Sequence, residues 1–108
     1  MSVLNNFSLE GQVAIVTGGG AGIGKGISEL FAAAGAMVAV SDLKAETAQE
    51  VADTIHADGG KAIGVACDVT DQAARENLVH EAMKAFGKVS ILVNNAGGGG
   101  AETVRHAD

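Results

Sequence analysis

Between Val13 and Gly26 the chain reads VAIVTGGGAGIGKG, a short apolar run that breaks into a segment, Gly18 to Gly26, with glycine at six of nine positions. Residues without a Cβ let the main chain bend sharply and let an anion approach the backbone itself. Where a helix follows such a bend, its first N–H groups lack intrahelical partners and the positive end of its dipole faces the same point. A diphosphate can then be held without lysine or arginine. Gly18, Gly22 and Gly24 supply the bend, and Ile23 sits between the last two. The spacing is G-x-x-x-G-x-G; the G-x-G-x-x-G of the general dinucleotide fingerprint does not occur in this stretch. Glycine-rich turns between strand and helix also serve purely structural ends, so the loop needs company.

Asp42 provides it, 18 residues beyond Gly24 and directly after the apolar run MVAVS. A carboxylate there can accept hydrogen bonds from the hydroxyls of a ribose; the alternative is a turn aspartate that caps its own loop. As a ribose contact it also selects the cofactor. A 2′-phosphate brought to about 4 Å would meet a repulsion of ~4 kcal/mol per charge at an effective dielectric of about 20, close to three decades of affinity. NAD is therefore expected over NADP. Leu43 belongs to the same site, Lys44 softens the repulsion, and Ala21 brings no basic charge into the loop.

Two further stretches complete the pattern, ACDVT around Asp68 and NNAGGGG from Asn94 to Gly100. The sequence TGGGAGIG resembles the T-G-x-x-x-G-I-G motif of the short-chain dehydrogenase/reductase family, and Asn94, Asn95, Ala96 and Gly97 reproduce its N-N-A-G. The resemblance runs from about Leu9 to Gly100 and implies a nicotinamide dinucleotide at this loop. It further implies Asp68 at the adenine amino group with Val69 beside the ring, and Asn95, Ala96 and Gly97 supporting the sheet and the cofactor ribose. The extended run NNAGGGG is similar to the bacterial hydroxysteroid dehydrogenases of that family, the 7α type in particular, which would place Gly99 near the substrate.

The elements that must position these residues follow from periodicity. Val13 to Thr17 reads as strand 1. Ile23, Ile27, Leu30, Phe31 and Ala34 fall on one helical face that stops at Gly35, and Met37 to Ser41 is strand 2. Ala48, Val51, Ala52 and Ile55 mark a second helix, Ala62 to Cys67 strand 3, and Ala74, Leu78, Ala82, Ala85 and Phe86 a third helix capped by Thr70. Val89 to Val93 is strand 4. Gly26, inside the first helix, is read as a point of close approach to the sheet. The alternation gives an α/β fold, a partial Rossmann-type parallel sheet in the order 3-2-1-4 with helices on both faces, in one domain over 1–108. In that order the winding reverses between strands 1 and 4, and both the glycine loop (17–26) and N-N-A-G (94–97) open onto the crevice there. Residues 101–108 show no period and are expected to be irregular.

Composition excludes several classes. A formal charge of −6 without a basic cluster argues against nucleic acid and anionic membranes. No apolar run approaches the roughly 20 residues of a membrane span. The single cysteine, Cys67, allows no internal disulfide, and the N-terminal residues lack a secretory pattern, so a cytoplasmic location is expected. Cys67 reads as a small core residue. His56, His80 and His106 are too scattered for a metal site, so no metal is expected.

Tyrosine is absent. In the family that the chain resembles, chemistry depends on a Tyr-x-x-x-Lys pair, a serine and an asparagine, with the tyrosine as general base while hydride passes between an alcohol carbon and the nicotinamide. No catalytic residue is therefore assigned, and the chain by itself is expected to be inactive. It reads as the first half of a family member, either a fragment or a sequence that leaves the family frame after Gly100. The reading is the NAD-binding portion of an enzyme for a small alcohol or ketone. The alternatives are a non-catalytic dinucleotide-binding module and a portion of a 3-oxoacyl-thioester reductase. Family members are usually homo-oligomers, through parts not seen in this sequence. With no fifth strand expected, strand 4 should present an exposed edge.

Overall fold

The structure is a computed structural model that describes residues 8–95 and the backbone of 103–106. Its elements alternate as β1 (Val13–Thr17), α1 (Gly22–Ala33), β2 (Met37–Asp42), α2 (Ala45–Ala57), β3 (Lys61–Ala66), α3 (Gln72–Phe86), β4 (Ile91–Asn94) and β5 (Thr103–His106). The sheet order is β3-β2-β1-β4-β5. β1 to β4 are parallel, in register Ile15↔Ala39, Ile15↔Leu92 and Ala39↔Ile63. The expected 3-2-1-4 arrangement and its switch point between β1 and β4 are both present.

Continuous apolar runs make these strands because both faces are covered. β1 is buried along its whole length. α1 and α2 cover one face, where Val16, Val38, Val40 and Val93 meet Val51, Ala52 and Ile55, with Ile27 and Phe31 against them. α3 covers the other, with Leu78 and Ala82 against Ile15 and Ala39. Among the described residues no helix is long and apolar enough to cross a membrane.

Several expectations are corrected. Residues 103–106 form β5, antiparallel to β4 in the register Val93↔Val104, in place of an irregular tail and a bare β4 edge. An open strand edge is a row of unpaired N–H and C=O groups that any extended segment can satisfy, and Thr103 and Val104 are β-branched. Ile23 and Leu30 do not share the inner face of α1; they are 67% and 50% exposed. The buried place is taken by Ser28, whose hydroxyl donates to the Gly24 carbonyl at 2.9 Å and so carries no polar debt into the core. Gly26 is exposed with nothing near its missing side chain, and no close approach explains it. The third helix is capped by Asp71, which accepts from the Ala73 N–H at 3.2 Å, because the helix begins at Gln72 and so puts Asp71, one residue past Thr70, at the N-cap; the Thr70 hydroxyl donates to Asp68. Ala85, expected on the inner face of α3, is exposed.

Candidate functional site

β1 and β4 lie side by side and end together, with Thr17 opposite Asn94. The glycine loop leaves β1 at that point. Gly18 and Gly22 adopt positive φ, +62° and +56°, which residues with a Cβ rarely do. Gly24 is required for a different reason: a Cβ there would collide with the Gly18 carbonyl and lie 2.6 Å from Asn95 Nδ2. A Cβ on Gly22, by contrast, would meet nothing within 4 Å, so this stretch of main chain faces open space. Ala21, at the N-cap of α1, offers no side-chain hydrogen bond, and the first turn holds no acidic residue. The positive end of the α1 dipole thus meets no side-chain cap and no carboxylate from its own first turn, unlike α3, whose N-terminus Asp71 caps.

Asn95 ties the two loops together. Its Nδ2 donates to the Gly18 carbonyl at 3.2 Å, and its backbone N–H donates to Thr17 Oγ1 at 3.0 Å. The buried Thr17 hydroxyl lies 3.2 Å from Asn94 Oδ1 and 3.3 Å from the Val93 carbonyl. Motifs about 77 residues apart in sequence become one hydrogen-bonded unit. In the sequence Thr17 ends a strand and opens the TGGGAGIG motif; the network gives it a positioning role.

Asp42 ends β2, half-buried, with each oxygen holding one backbone donor. Oδ2 accepts from the Gly20 N–H at 3.0 Å and Oδ1 from the Leu43 N–H at 2.8 Å. The loop-capping role is therefore present. A carboxylate has about four acceptor positions, so two donors leave capacity for a ligand. The parallel register of β2 and β3 places Ala66 opposite Asp42, and the Cys67 N–H donates to the Asp42 carbonyl at 2.8 Å. That pairing brings the ACDVT segment beside Asp42. Asp68 is exposed, and its Oδ1 accepts from both the hydroxyl and the backbone N–H of Thr70, at 2.7 and 2.9 Å. These bonds, the hydroxyl's first, hold the Asp68 carboxyl below the usual carboxylate range.

Gly18, Asp42, Leu43, Asp68 and Val69, with Cys67 and Thr70, line one cleft of about 230 Å³. That is smaller than the roughly 300–1,000 Å³ of a pocket enclosing a drug-sized ligand, and suits one nucleoside more than a whole dinucleotide. Cys67 is 5% exposed, and burial pushes its thiol above the ordinary range, against the lowering effect of the Ser41 hydroxyl beside it. A neutral thiol is a wall, not a nucleophile. Ile23 stands outside the cleft, exposed on the first turn of α1. Ala96, Gly97 and Gly99 lie outside the described residues. Among the described residues no group of three or more His, Cys, Asp or Glu side chains is gathered as a metal site would need. Sequence reasoning missed Gly20 and Thr70; the only signal for Gly20 was the unbroken run Gly18-Gly19-Gly20.

Comparison with known proteins bears on the family and the fold. The sequence pattern described as short chain dehydrogenase matches residues 12–108. The chain is 51% identical over 96 residues to 7alpha-hydroxysteroid dehydrogenase of Escherichia coli strain K12, a match covering 89% of this chain and 38% of that one. It is 42% identical over 97 residues to D-threitol dehydrogenase of Mycolicibacterium smegmatis, covering 90% and 37% of the two chains. Among solved structures, it is similar to 7 alpha-hydroxysteroid dehydrogenase complexed with NADH and 7-oxo glycochenodeoxycholic acid, with a TM-score of 0.84 at 51% identity over 89% of this chain and 38% of that one. A dehydrogenase/reductase from Sinorhizobium meliloti superposes with a TM-score of 0.82 at 41% identity, again over 89% and 38%. The chain thus spans under two-fifths of the length of the E. coli and M. smegmatis enzymes, 38% and 37%.

Proposed function

Since the chain belongs to the short chain dehydrogenase family, we propose that it is the NAD-binding portion of an oxidoreductase acting on an alcohol or ketone, with hydroxysteroids as the substrate class. The observation that carries this is the cleft in which Asp42 and Asp68 stand beside the end of β1, next to a glycine loop that runs into the start of a helix with no side-chain cap. The residues fit the cofactor. The loop at Gly18, Gly22, Ile23 and Gly24 takes the diphosphate, Asp42 the adenosine ribose, and Leu43 and Val69 the flanks of the adenine. Asp68 takes the adenine amino group, with Asn95, Ala96 and Gly97 toward the second ribose and Gly99 toward the substrate. When bound, NAD accepts hydride from an alcohol carbon.

The identity to a 7alpha-hydroxysteroid dehydrogenase supports the substrate class, and one buried, unpaired cysteine supports a reducing compartment, the cytoplasm. With no tyrosine in the sequence to serve as the family's general base, the 108-residue chain binds NAD without turning over an alcohol. Calorimetric titration tests the cofactor reading: NAD binds the chain more tightly than NADP, and Asp42→Ala narrows that preference by about tenfold or more, the scale of one hydrogen bond to a charged group. NADP binding more tightly than NAD would refute it. Steady-state alcohol oxidation by the purified chain would refute the missing-base argument.

A further inference from the structure

We infer that Gly20 is a positioning residue for cofactor selectivity: its N–H and its lack of a side chain together hold the Asp42 carboxylate in the orientation that faces the cleft. The inference rests on the reading of Asp42 as the ribose contact.

Three observations carry it. The carboxylate is held at both ends, by the Gly20 N–H at 3.0 Å and the Leu43 N–H at 2.8 Å, which fixes its plane. The Gly20 amide is itself anchored, because the Gly19 N–H donates to the Ser41 carbonyl at 2.7 Å and ties the loop to the end of β2. Finally, a Cβ on Gly20 would lie 2.8 Å from Asp42 Oδ2 and 3.2 Å from its Cγ, and would also collide with Thr47 Cγ2. Gly20 is not among the glycines with positive φ, so the backbone would accept alanine. What excludes a side chain is the Asp42 carboxylate with Thr47, on the first turn of α2. Both obstacles are the ends of side chains. An added methyl group would therefore displace the carboxylate and leave the fold standing.

Gly20→Ala and Asp42→Ala, each compared with the unmodified chain by calorimetric titration with NAD and with NADP, test this. The expected result for Gly20→Ala is an unchanged far-ultraviolet circular dichroism spectrum, NAD affinity lowered about tenfold, and NADP affinity moved less than about twofold. If Asp42→Ala narrows the NAD preference and Gly20→Ala does not, the inference is overturned while the reading of Asp42 stands. If Asp42→Ala leaves the preference unchanged, the reading of Asp42 fails and takes the inference with it. Adding Thr47→Ser to Gly20→Ala relieves only the second obstacle. Restoration of the preference by that addition would assign the effect to crowding by Thr47 and overturn the inference.

A spectroscopic reading is independent of nucleotide affinity and of how Gly20→Ala folds. In the unmodified chain the Gly20 amide proton, which donates to the Asp42 carboxylate, should resonate well away from its position in Asp42→Ala, where that acceptor is gone. A Gly20 amide resonance that is the same with and without the Asp42 carboxylate would overturn the inference even where calorimetry cannot be performed.

Discussion

The two faces of the sheet are made by the same strands, and they are not covered alike. On one, α1 and α2 lie side by side over Val16, Val38 and Val40, and α2 alone contributes Ala48, Val51, Ala52 and Ile55 to a dry layer. The gap between those helices, lined by Ala32 and Ile55, is about 90 Å³. On the other face, among the described residues, α3 is the one helix over Ile15 and Ala39. Beside it a cavity of about 220 Å³, lined by Ile15, Leu78, Val79 and Leu92, leaves Leu92 half-buried and Val79 47% exposed. Alternation along β4 sends Ile91 and Val93 to the first face and Leu92 to the second. An apolar run in a parallel strand therefore announces that both faces seek cover. How much each receives is set by the number of helices on that side.

The sharpest way to break this contrast is to remove a large side chain from each face in turn. Ile55→Ala, at a position 2% exposed, should cost about 3 kcal/mol, transfer and cavity terms together, because two helices and the sheet hold the gap open. Leu92→Ala should cost about 1 kcal/mol, since a half-buried leucine has withdrawn only about half its apolar surface from water. Urea unfolding followed by circular dichroism measures both. Equal losses would show that the α3 face is as tightly packed as the other, and the contrast would be wrong.

Among the described residues the α3 face is covered by one helix, so what starts that helix should register in the stability of the whole. Asp71→Ala removes the acceptor for the Ala73 N–H and should cost about 1 kcal/mol by the same measurement. Thr70→Val, which keeps the shape and removes the hydroxyl, should cost less, because Thr70 serves the Asp68 carboxylate and not the helix. The reverse order would restore Thr70 as the cap.

These elements are legible in the sequence in unequal measure. The α2 face, Ala48, Val51, Ala52 and Ile55, is wholly buried where periodicity puts it, because that helix is covered along a single stripe. α1 departs from its pattern at Ile23 and Leu30: the sheet needs only the strip through Ile27 and Phe31, and Ser28 enters the core because its hydroxyl finds a partner one turn back. Pattern alone cannot see that bond. The site divides similarly. Gly18, Gly24 and Asp42 are singled out by residue type and spacing, through backbone freedom or charge, whereas Asp68 stands out only through the family resemblance. The bonds from Gly20 to Asp42 and from Asn95 to Gly18 are not, because they join loops that only the β2-β1-β4 order makes adjacent. β5 escapes a reading of the sequence because its pairing depends on the open edge of β4 and not on a period within residues 103–106.

The smallest predicted effect separates the glycines that the fold uses from one that it does not. Gly19 and Gly24 cannot carry a side chain: an added Cβ would press on the Val16 carbonyl at 2.9 Å in the first case and collide with the Gly18 carbonyl in the second. Gly26, two residues further along α1, has helical backbone, an exposed position and nothing within 4 Å of an added Cβ. Alanine there relieves the entropic cost of a helical glycine and should raise stability by about 0.5 to 1 kcal/mol. Gly24→Ala should destabilise the chain and, by pushing Asn95 Nδ2 away, part the two loops of the site. Thermal unfolding of the two variants side by side makes the comparison. A loss of stability in Gly26→Ala would mean that α1 approaches something at that position after all, and the glycine would regain the packing role that its place in the sequence suggests.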